Sequence, residues 1–121
     1  MSDVEINIIL RCMKKNNRYV IVFVTTPDLK TAEKLVGGAL QSKLIACGNI
    51  ISGIQSHYWW QGKIEKSKEA LIIIKTANGK LNSLKKFIVE NHPYDIPEFI
   101  ATEITDGYEK YLEWISDSVN K

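Results

Sequence analysis

Hydrophobic and polar positions follow two periodicities along the chain, one typical of strands and one typical of helices. The β-branched and aromatic run at 19–26 ends at Pro27, which cannot donate to a strand ladder, so it predicts a first strand. After Asp28, which can cap a helix, apolar residues recur at spacings of three and four and predict a first helix. The further predicted elements are a long bent strand at 45–60, a partner strand at 64–76, a helix from the N-cap Asn78 to just before Pro93, a strand at 98–104 and a helix opened by Gly107.

The second strand stands out by its length. A typical strand has about 5 to 6 residues, whereas the stretch 45–60 is far longer and contains Gly48 and Gly53, where we expect bulges or bends. Gly62 can adopt a positive φ at little cost, so residues 61–63 predict the turn of a hairpin. We expect this hairpin to reach beyond the body of the domain.

The order of these elements, βαββαβα, predicts the α+β class. Two helices on one face of a four-stranded antiparallel sheet form the split-βαβ, or ferredoxin-like, sandwich. The prediction is therefore a ferredoxin-like βαββαβ sandwich with an extra C-terminal helix and a long hairpin between the second and third strands.

The strands carry apolar residues on both faces. Side chains alternate along a strand, so the continuous runs at 20–24 and 71–74 place large apolar groups on both sides of the sheet. The adjacent Trp59 and Trp60 likewise point in opposite directions. The two helices cover one face and the last helix covers part of the other, so we predict that further copies of the chain cover the rest.

Composition and charge narrow the class of protein. The 121 residues suit one domain, and 45% hydrophobic with 25% charged residues is typical of globular proteins. Sixteen basic residues against fourteen acidic ones, without a dense basic block, disfavour nucleic-acid binding. We find no apolar run long enough to span a membrane and no signal peptide. Cys12 and Cys47 lie far apart, which favours reduced thiols and a cytoplasmic location.

Familiar catalytic and metal-binding patterns do not occur in the sequence. His57 and His92 are widely separated, and no CxxC or HxxxH spacing is present. Cys47 lies within a predicted strand, where a free cysteine is more often a small buried hydrophobe than a nucleophile. Nucleophile elbows, phosphate-binding loops and dinucleotide fingerprints are also missing. We therefore do not expect an enzyme.

Several short blocks together resemble one family. These blocks are "IACGNI", "SHYWWQGKIE", "IIIKT", "ENHPYDIPE" and "GYEKYLEWI". In order and spacing they are similar to the CutA family of divalent-cation tolerance proteins, from about Tyr19 to the C-terminus. The resemblance makes residues 14–121 one ferredoxin-like domain and leaves 1–13 as an N-terminal extension, for which disorder is one alternative.

The resemblance also implies an assembly and a site. The family's subunits form a homotrimer similar in architecture to the PII signalling proteins, with sheets facing inward and the long hairpin pairing across subunits. The family's shared polar and aromatic positions would line a cleft between neighbouring subunits. In this chain they are Tyr58, Trp60, Lys75, His92, Tyr94, Glu98 and Trp114.

Each of these residues also has a purely structural interpretation. The tyrosines and tryptophans, Tyr58 and Trp114 above all, can simply anchor an interface by burying area. Lys75 and Glu98 can form an ion pair, and His92 can end a helix before proline. In the segment 90–99 we expect Pro93 and Pro97 to stiffen the passage into the fourth strand.

The metal site that the resemblance implies is incomplete here. Relatives can offer copper a cysteine at the end of the first strand and adjacent histidines before the Pro-Tyr pair, whereas this chain has Val24 and Asn91 at those places. His92 is the one metal ligand that we assign. A lone imidazole binds Cu(II) or Zn(II) weakly, so we expect at most a weakly held divalent cation and no other cofactor.

Three functions follow as hypotheses. The first is a homotrimeric protein of copper or divalent-cation tolerance that binds a metal ion or small ligand at its clefts without catalysis. The second is a trimeric scaffold or signalling module that acts through partner proteins. The third, least favoured, is an enzyme that uses His92 and Glu98 as an acid/base pair.

Overall fold

The computed structural model describes residues 2–6 and 18–120. Residues 18–120 fold into a four-stranded sheet and three α-helices. Residues 3–6 make one helical turn. Residue 1 and residues 7–13 of the predicted extension at 1–13 lie outside the described residues. The elements are β1 (Tyr19–Thr26), α1 (Leu29–Gln41), β2 (Cys47–Trp60), β3 (Lys63–Ala77), a 3₁₀ turn (Asn78–Lys80), α2 (Leu81–Asn91), β4 (Ile100–Glu103) and α3 (Glu109–Asn120).

The strands lie in the order β2-β3-β1-β4, and every neighbouring pair is antiparallel. This topology, with its two crossover helices, confirms the predicted α+β, ferredoxin-like sandwich. Among the described residues, no helix is both long and apolar enough to cross a bilayer.

Helices α1 and α2 cover one face of the sheet. Alternate residues of β1 (Val20, Val22 and Val24) are buried in this core together with Ile72 and Ile74 of β3. The helices supply Ala32, Leu35, Val36, Ala39, Leu84 and Ile88. Burial of a side chain of this kind contributes about 1.5–3 kcal/mol, so this cluster is the main apolar core.

The C-terminal helix covers part of the opposite face. Leu112, Ile115 and Val119 of α3 form a second cluster with Tyr19 and Ala46. Tyr19 precedes Val20 in β1, and adjacent strand residues point to opposite faces, so the two clusters lie on opposite sides of the sheet. The prediction that the last helix covers only part of this face is confirmed. We call this side of the sheet the open face.

The long hairpin is formed as predicted around Gly53 and Gly62. The β2–β3 register shifts between Ile51 and Ile54, where Gly53 has a φ of 73°. Gln61 and Gly62 form the turn with φ of 50° and 77°.

Gly48 does not form the bend that we expected. It pairs with Ile74 in regular register, and a Cβ added to it would lie 2.9 Å from both γ-carbons of Val36. Glycine is needed here because α1 packs closely on β2, and the strand itself begins at Cys47 rather than at residue 45.

Three other boundaries differ from the prediction. Asn78 does not cap α2, because residues 78–80 form a 3₁₀ turn without a side-chain cap and the helix begins at Leu81. Strand β4 is limited to Ile100–Glu103 because β1 pairs with it only from Val20 to Phe23. Helix α3 begins at Glu109, two residues after Gly107. The predicted cap at Asp28 is confirmed, since its carboxylate accepts a hydrogen bond from Thr31 N–H at 2.7 Å.

Candidate functional site

A buried histidine connects the segment that follows α2 to strand β1 by a hydrogen bond. His92 is 8% exposed, and its Nδ1 lies 3.1 Å from the backbone nitrogen of Tyr94. A backbone N–H can only donate, so Nδ1 accepts and the ring proton sits on Nε2. Nε2 then donates to the carbonyl oxygen of Thr25 at 2.7 Å. Both nitrogens of this neutral imidazole are therefore hydrogen-bonded to the backbone. The bond from Tyr94 N–H to Nδ1 holds the tight turn from His92 to Tyr94.

Tyr94 reaches from this turn to a buried carboxylate on β3. Its hydroxyl donates to Glu69 at 2.8 Å, and the Glu69 side chain is 8% exposed. Burial, followed by the hydrogen bond to Glu69 and the Glu69 charge, raises the pKa of Tyr94 well above its ordinary value. Tyr94 therefore stays protonated and serves as a fixed donor that satisfies a buried acid.

A second carboxylate, Glu98, lies within range of the Glu69 charge. Burial, and then the charge of Glu69, raises the pKa of Glu98. Two like charges near each other disfavour simultaneous ionisation, and this repulsion is relieved by a proton or a cation. We call the group of His92, Tyr94, Glu69 and Glu98 the carboxylate cluster.

Tyr58 lies close to this cluster although it belongs to the hairpin. It contributes to the raised pKa of Tyr94, and its hydroxyl is 3.3 Å from the Ser67 Oγ across the hairpin. Tyr58 is half exposed, as is Trp60 at the end of β2.

Lys75 and Trp114 belong to a different group at the other end of β3. The Lys75 ammonium donates to the Asn49 side-chain oxygen, which the Cys47 Sγ also approaches at 3.7 Å. The rings of Tyr111 and Trp114 are 5.4 Å apart, and burial, then Cys47, raises the pKa of Tyr111. We call this the lysine–aromatic group: Cys47, Asn49, Lys75, Tyr111 and Trp114.

The two groups share the open face but are separated along it. Glu69 and Lys75 are six positions apart on β3, which at about 3.3 Å per residue is about 20 Å. Both are at odd positions, on the side opposite the α1–α2 core that buries Ile72 and Ile74. Within one chain the Lys75 ammonium donates to Asn49, and the suggested ion pair between Lys75 and Glu98 finds no support among the described contacts.

Within one chain, some of the seven predicted residues lie near each other and others do not. His92, Tyr94 and Glu98 come together, with Tyr58 nearby, whereas Lys75 and Trp114 form their own group. Trp60 lies at the hairpin end, opposite Lys63, away from both. A cleft that unites all seven residues across subunits stays a prediction.

Glu69 is the member of the carboxylate cluster that sequence reasoning missed. It precedes the run "ALIII" in the third strand, and the structure buries it with Ala70. An acidic residue at the start of a buried strand run is a usable signal, because a buried charge requires a partner.

The donors in one chain do not fit a tightly held metal ion. In the part of the chain that the structure describes, no three His, Cys, Asp or Glu side chains are grouped so as to hold one. Val24 is fully buried in the core, and the Asn91 amide donates to the Phe87 carbonyl at 2.8 Å. Coordination by His92 stays a prediction, and it requires one of the two imidazole hydrogen bonds to break.

The fold and the site define a class of protein: a ferredoxin-like subunit with a long hairpin and a carboxylate cluster beside a partly covered sheet face. Residues 20–118 match the family described as CutA1 divalent ion tolerance protein. The chain belongs to this family, which confirms the resemblance found in the sequence.

Individual relatives support the assignment. The chain is 42% identical over 102 residues to the divalent-cation tolerance protein CutA of Pyrococcus horikoshii, covering 84% of this chain and 99% of that one. It is 43% identical over 102 residues to the chloroplastic CutA 1 protein of Oryza sativa subsp. japonica. The crystal structure of CutA1 from Oryza sativa superposes with a TM-score of 0.82 at 42% identity, covering 86% of this chain and 95% of that one.

The plant relatives are longer than the matched region. The match to the rice protein covers 84% of this chain but 58% of the relative, and that to the chloroplastic CutA protein of Arabidopsis thaliana covers 82% and 54%. The chain thus spans little more than half of these relatives.

Proposed function

We propose that this protein acts in divalent-cation tolerance as a homotrimer that binds a divalent cation, copper among them, or a small ligand at clefts between its subunits, without catalysis. The observation that carries the proposal is the carboxylate cluster, two acids with a fixed tyrosine donor at the margin of the open face. The family membership of the chain supports the same reading.

Exposed apolar side chains support the assembly. Trp59 and Ile64, paired across the hairpin end, are 73% and 65% exposed, and Ile100 on the edge strand β4 is 58% exposed. Unpaired edges and apolar patches of this kind mark interfaces between chains. Three copies would place the hairpin of one subunit over the open face of the next.

Electrostatics favour a cation at the carboxylate cluster. The charge of Glu69 raises the pKa of Glu98, and a bound cation would offset the repulsion between the two carboxylates. Carboxylate oxygens suit hard divalent ions, and a free imidazole would be needed to favour copper. Copper binding through His92 is therefore expected to be weak, because it sacrifices a hydrogen bond.

The geometry of His92 also supports a function without catalysis. A general base needs a free lone pair and a general acid needs a proton directed at the substrate. In this chain the Nδ1 lone pair and the Nε2 proton of His92 are both used by the backbone.

Two measurements test the proposal. Light scattering should give three times the 13.8 kDa chain mass. Calorimetry with Zn(II) and Cu(II) should give saturable heat that the Glu98→Gln variant loses, while Glu90→Gln, an exposed acid on α2, retains it. A monomer at low concentration would contradict the assembly, and equal binding by both variants would contradict the site.

The scaffold function remains a second proposal because apolar side chains are also exposed away from the sheet. Leu29, Leu40 and Val89 on α1 and α2 are each close to half exposed. Capture of a protein partner that survives in Glu98→Gln but is lost in Val89→Lys would support it.

Location in the cytoplasm is part of the proposal as well. The two plant relatives are described as chloroplastic, and a similar structure from Archaeoglobus fulgidus is described as periplasmic. Cell fractionation with compartment markers decides between these locations.

A further inference from the structure

A polar cleft lies at the end of the molecule remote from the hairpin. It opens between the start of β1, the 3₁₀ turn after β3 and the last turns of α3, and its volume is about 510 Å³. This is within the range of about 300–1,000 Å³ that small-molecule sites occupy. The residues that line it are Arg18, Ala77, Asn78, Gly79, Lys80, Ser116 and Asn120.

The charged side chains that line this cleft, among the described residues, are all positive. Arg18 and Lys80 supply two cations, and the lining residues that the structure describes include no acid. Asn78, Asn120 and Ser116 add side-chain amide and hydroxyl groups that can donate hydrogen bonds. A space lined by cations and donors suits an anion.

The structure also holds Arg18 in place. Its guanidinium carbon lies 5.4 Å from the ring centroid of Tyr19, which is itself buried. Its carbonyl oxygen accepts a hydrogen bond from Asn78 N–H at 2.8 Å, which ties the start of β1 to the 3₁₀ turn. Holding a long side chain in advance reduces the entropy lost when a ligand binds.

We propose that this cleft binds a small phosphate-bearing anion, with Arg18 and Lys80 as its principal contacts. A guanidinium pairs with phosphate through two parallel hydrogen bonds, and an ammonium adds a compact charge. The amide groups of Asn78 and Asn120 and the Ser116 hydroxyl contact the remaining oxygens or the attached organic group.

The cleft is separate from the carboxylate cluster. Ala77 and Glu69 are eight positions apart on β3, about 26 Å at 3.3 Å per residue. The carboxylates repel an anion, whereas the cleft attracts one. All of its lining residues come from one chain, so the inference does not depend on the number of subunits.

Amide chemical shifts measured during titration with inorganic phosphate and with AMP test the proposal. Saturable shifts should concentrate at Arg18, Asn78, Gly79 and Ser116. Arg18→Gln and Lys80→Gln should each weaken binding about tenfold, since a hydrogen bond to a charged group typically contributes about that much.

Lys85→Gln and Lys86→Gln, which remove the same charge from α2 outside the cleft, should leave affinity within about twofold, a minor fraction of a tenfold effect. An equal loss in all four variants would show general charge attraction and overturn the inference, as would shifts that never saturate. A further experiment measures binding to vesicles of phosphatidylcholine with phosphatidic acid. Binding to them in place of AMP would assign the same chemistry to a lipid headgroup.

Discussion

The Tyr94 hydroxyl donates to the carboxylate of Glu69 at 2.8 Å, joining the turn after α2 to the middle of β3. The two residues are far apart in sequence, and Glu69 is almost fully buried. The contact therefore fastens the loop between α2 and β4 to the sheet.

Tyr94→Phe should lower stability, because it leaves the buried Glu69 carboxylate without its donor. Leaving a buried acceptor unsatisfied costs about 1–3 kcal/mol. Urea unfolding at a fixed protein concentration measures the difference. Tyr108→Phe, which removes the same hydroxyl from a residue that is 71% exposed, should change the free energy of unfolding little. Equal effects of the two substitutions would contradict the importance of this contact.

Glu98 should make stability depend on pH. Its pKa is raised in the folded chain above the ordinary value of 4.5, so between these two values the folded state binds more protons than the unfolded state. The contribution of this group is thus greatest at low pH and declines as pH rises through the raised pKa.

Glu98→Gln removes this dependence. Its free energy of unfolding relative to wild type should therefore rise as the pH increases from below 4.5 through the raised pKa of Glu98. Urea titrations across that range, with Glu90→Gln as the control, provide the measurement. A relative stability that stays flat for Glu98→Gln would refute the electrostatic account of the cluster.

Gly48→Ala should destabilise the chain by overpacking. The new methyl group would approach the Val36 γ-carbons to 2.9 Å, and forced contacts of this kind typically cost about 1–3 kcal/mol. Gly37→Ala meets no atom within 4 Å and lies within α1, so it should raise stability by up to about 1 kcal/mol. Thermal unfolding measures both variants. If Gly48 is required by the close packing of α1 on β2, the melting temperature should fall in Gly48→Ala and rise in Gly37→Ala.

The double variant Trp59→Lys and Ile64→Lys should weaken the proposed trimer. Both side chains are exposed in one chain, so the substitutions should leave the subunit fold intact while placing charges in the interface. Light scattering over a dilution series should show dissociation at higher concentration than for wild type. Leu40→Lys alters a residue that is 42% exposed on α1, away from the sheet, and it serves as the control.

The elements of the fold were predictable from the sequence because each has a clear period. The β1 run before Pro27 and the cap at Asp28 are local features, and both occur where expected. The roles of Gly48 and Asn78 were not predictable in this way. Whether a glycine permits a bend or a close helix depends on Val36, which lies in another element. The uncapped 3₁₀ turn is bonded to the start of β1, since Asn78 N–H donates to the Arg18 carbonyl oxygen.

The candidate site was predictable only along one segment. His92, Tyr94 and Glu98 are neighbours in sequence, so a resemblance could place them together. Glu69 joins them through strand register, and the use of both His92 nitrogens by the backbone needs atomic positions. The sequence could thus suggest a metal ligand but not that its lone pair was already occupied.

The upper part of the hairpin has neighbours on one side only. Strand β1 pairs with β3 from Ala70 to Ala77, so the backbone of residues 63–69 pairs with β2 alone. An isolated two-stranded ribbon is marginal in water. Amide hydrogens in this part should exchange with solvent rapidly in a lone chain and slowly once another subunit lies beside them, so the ribbon itself reports whether the chains have assembled.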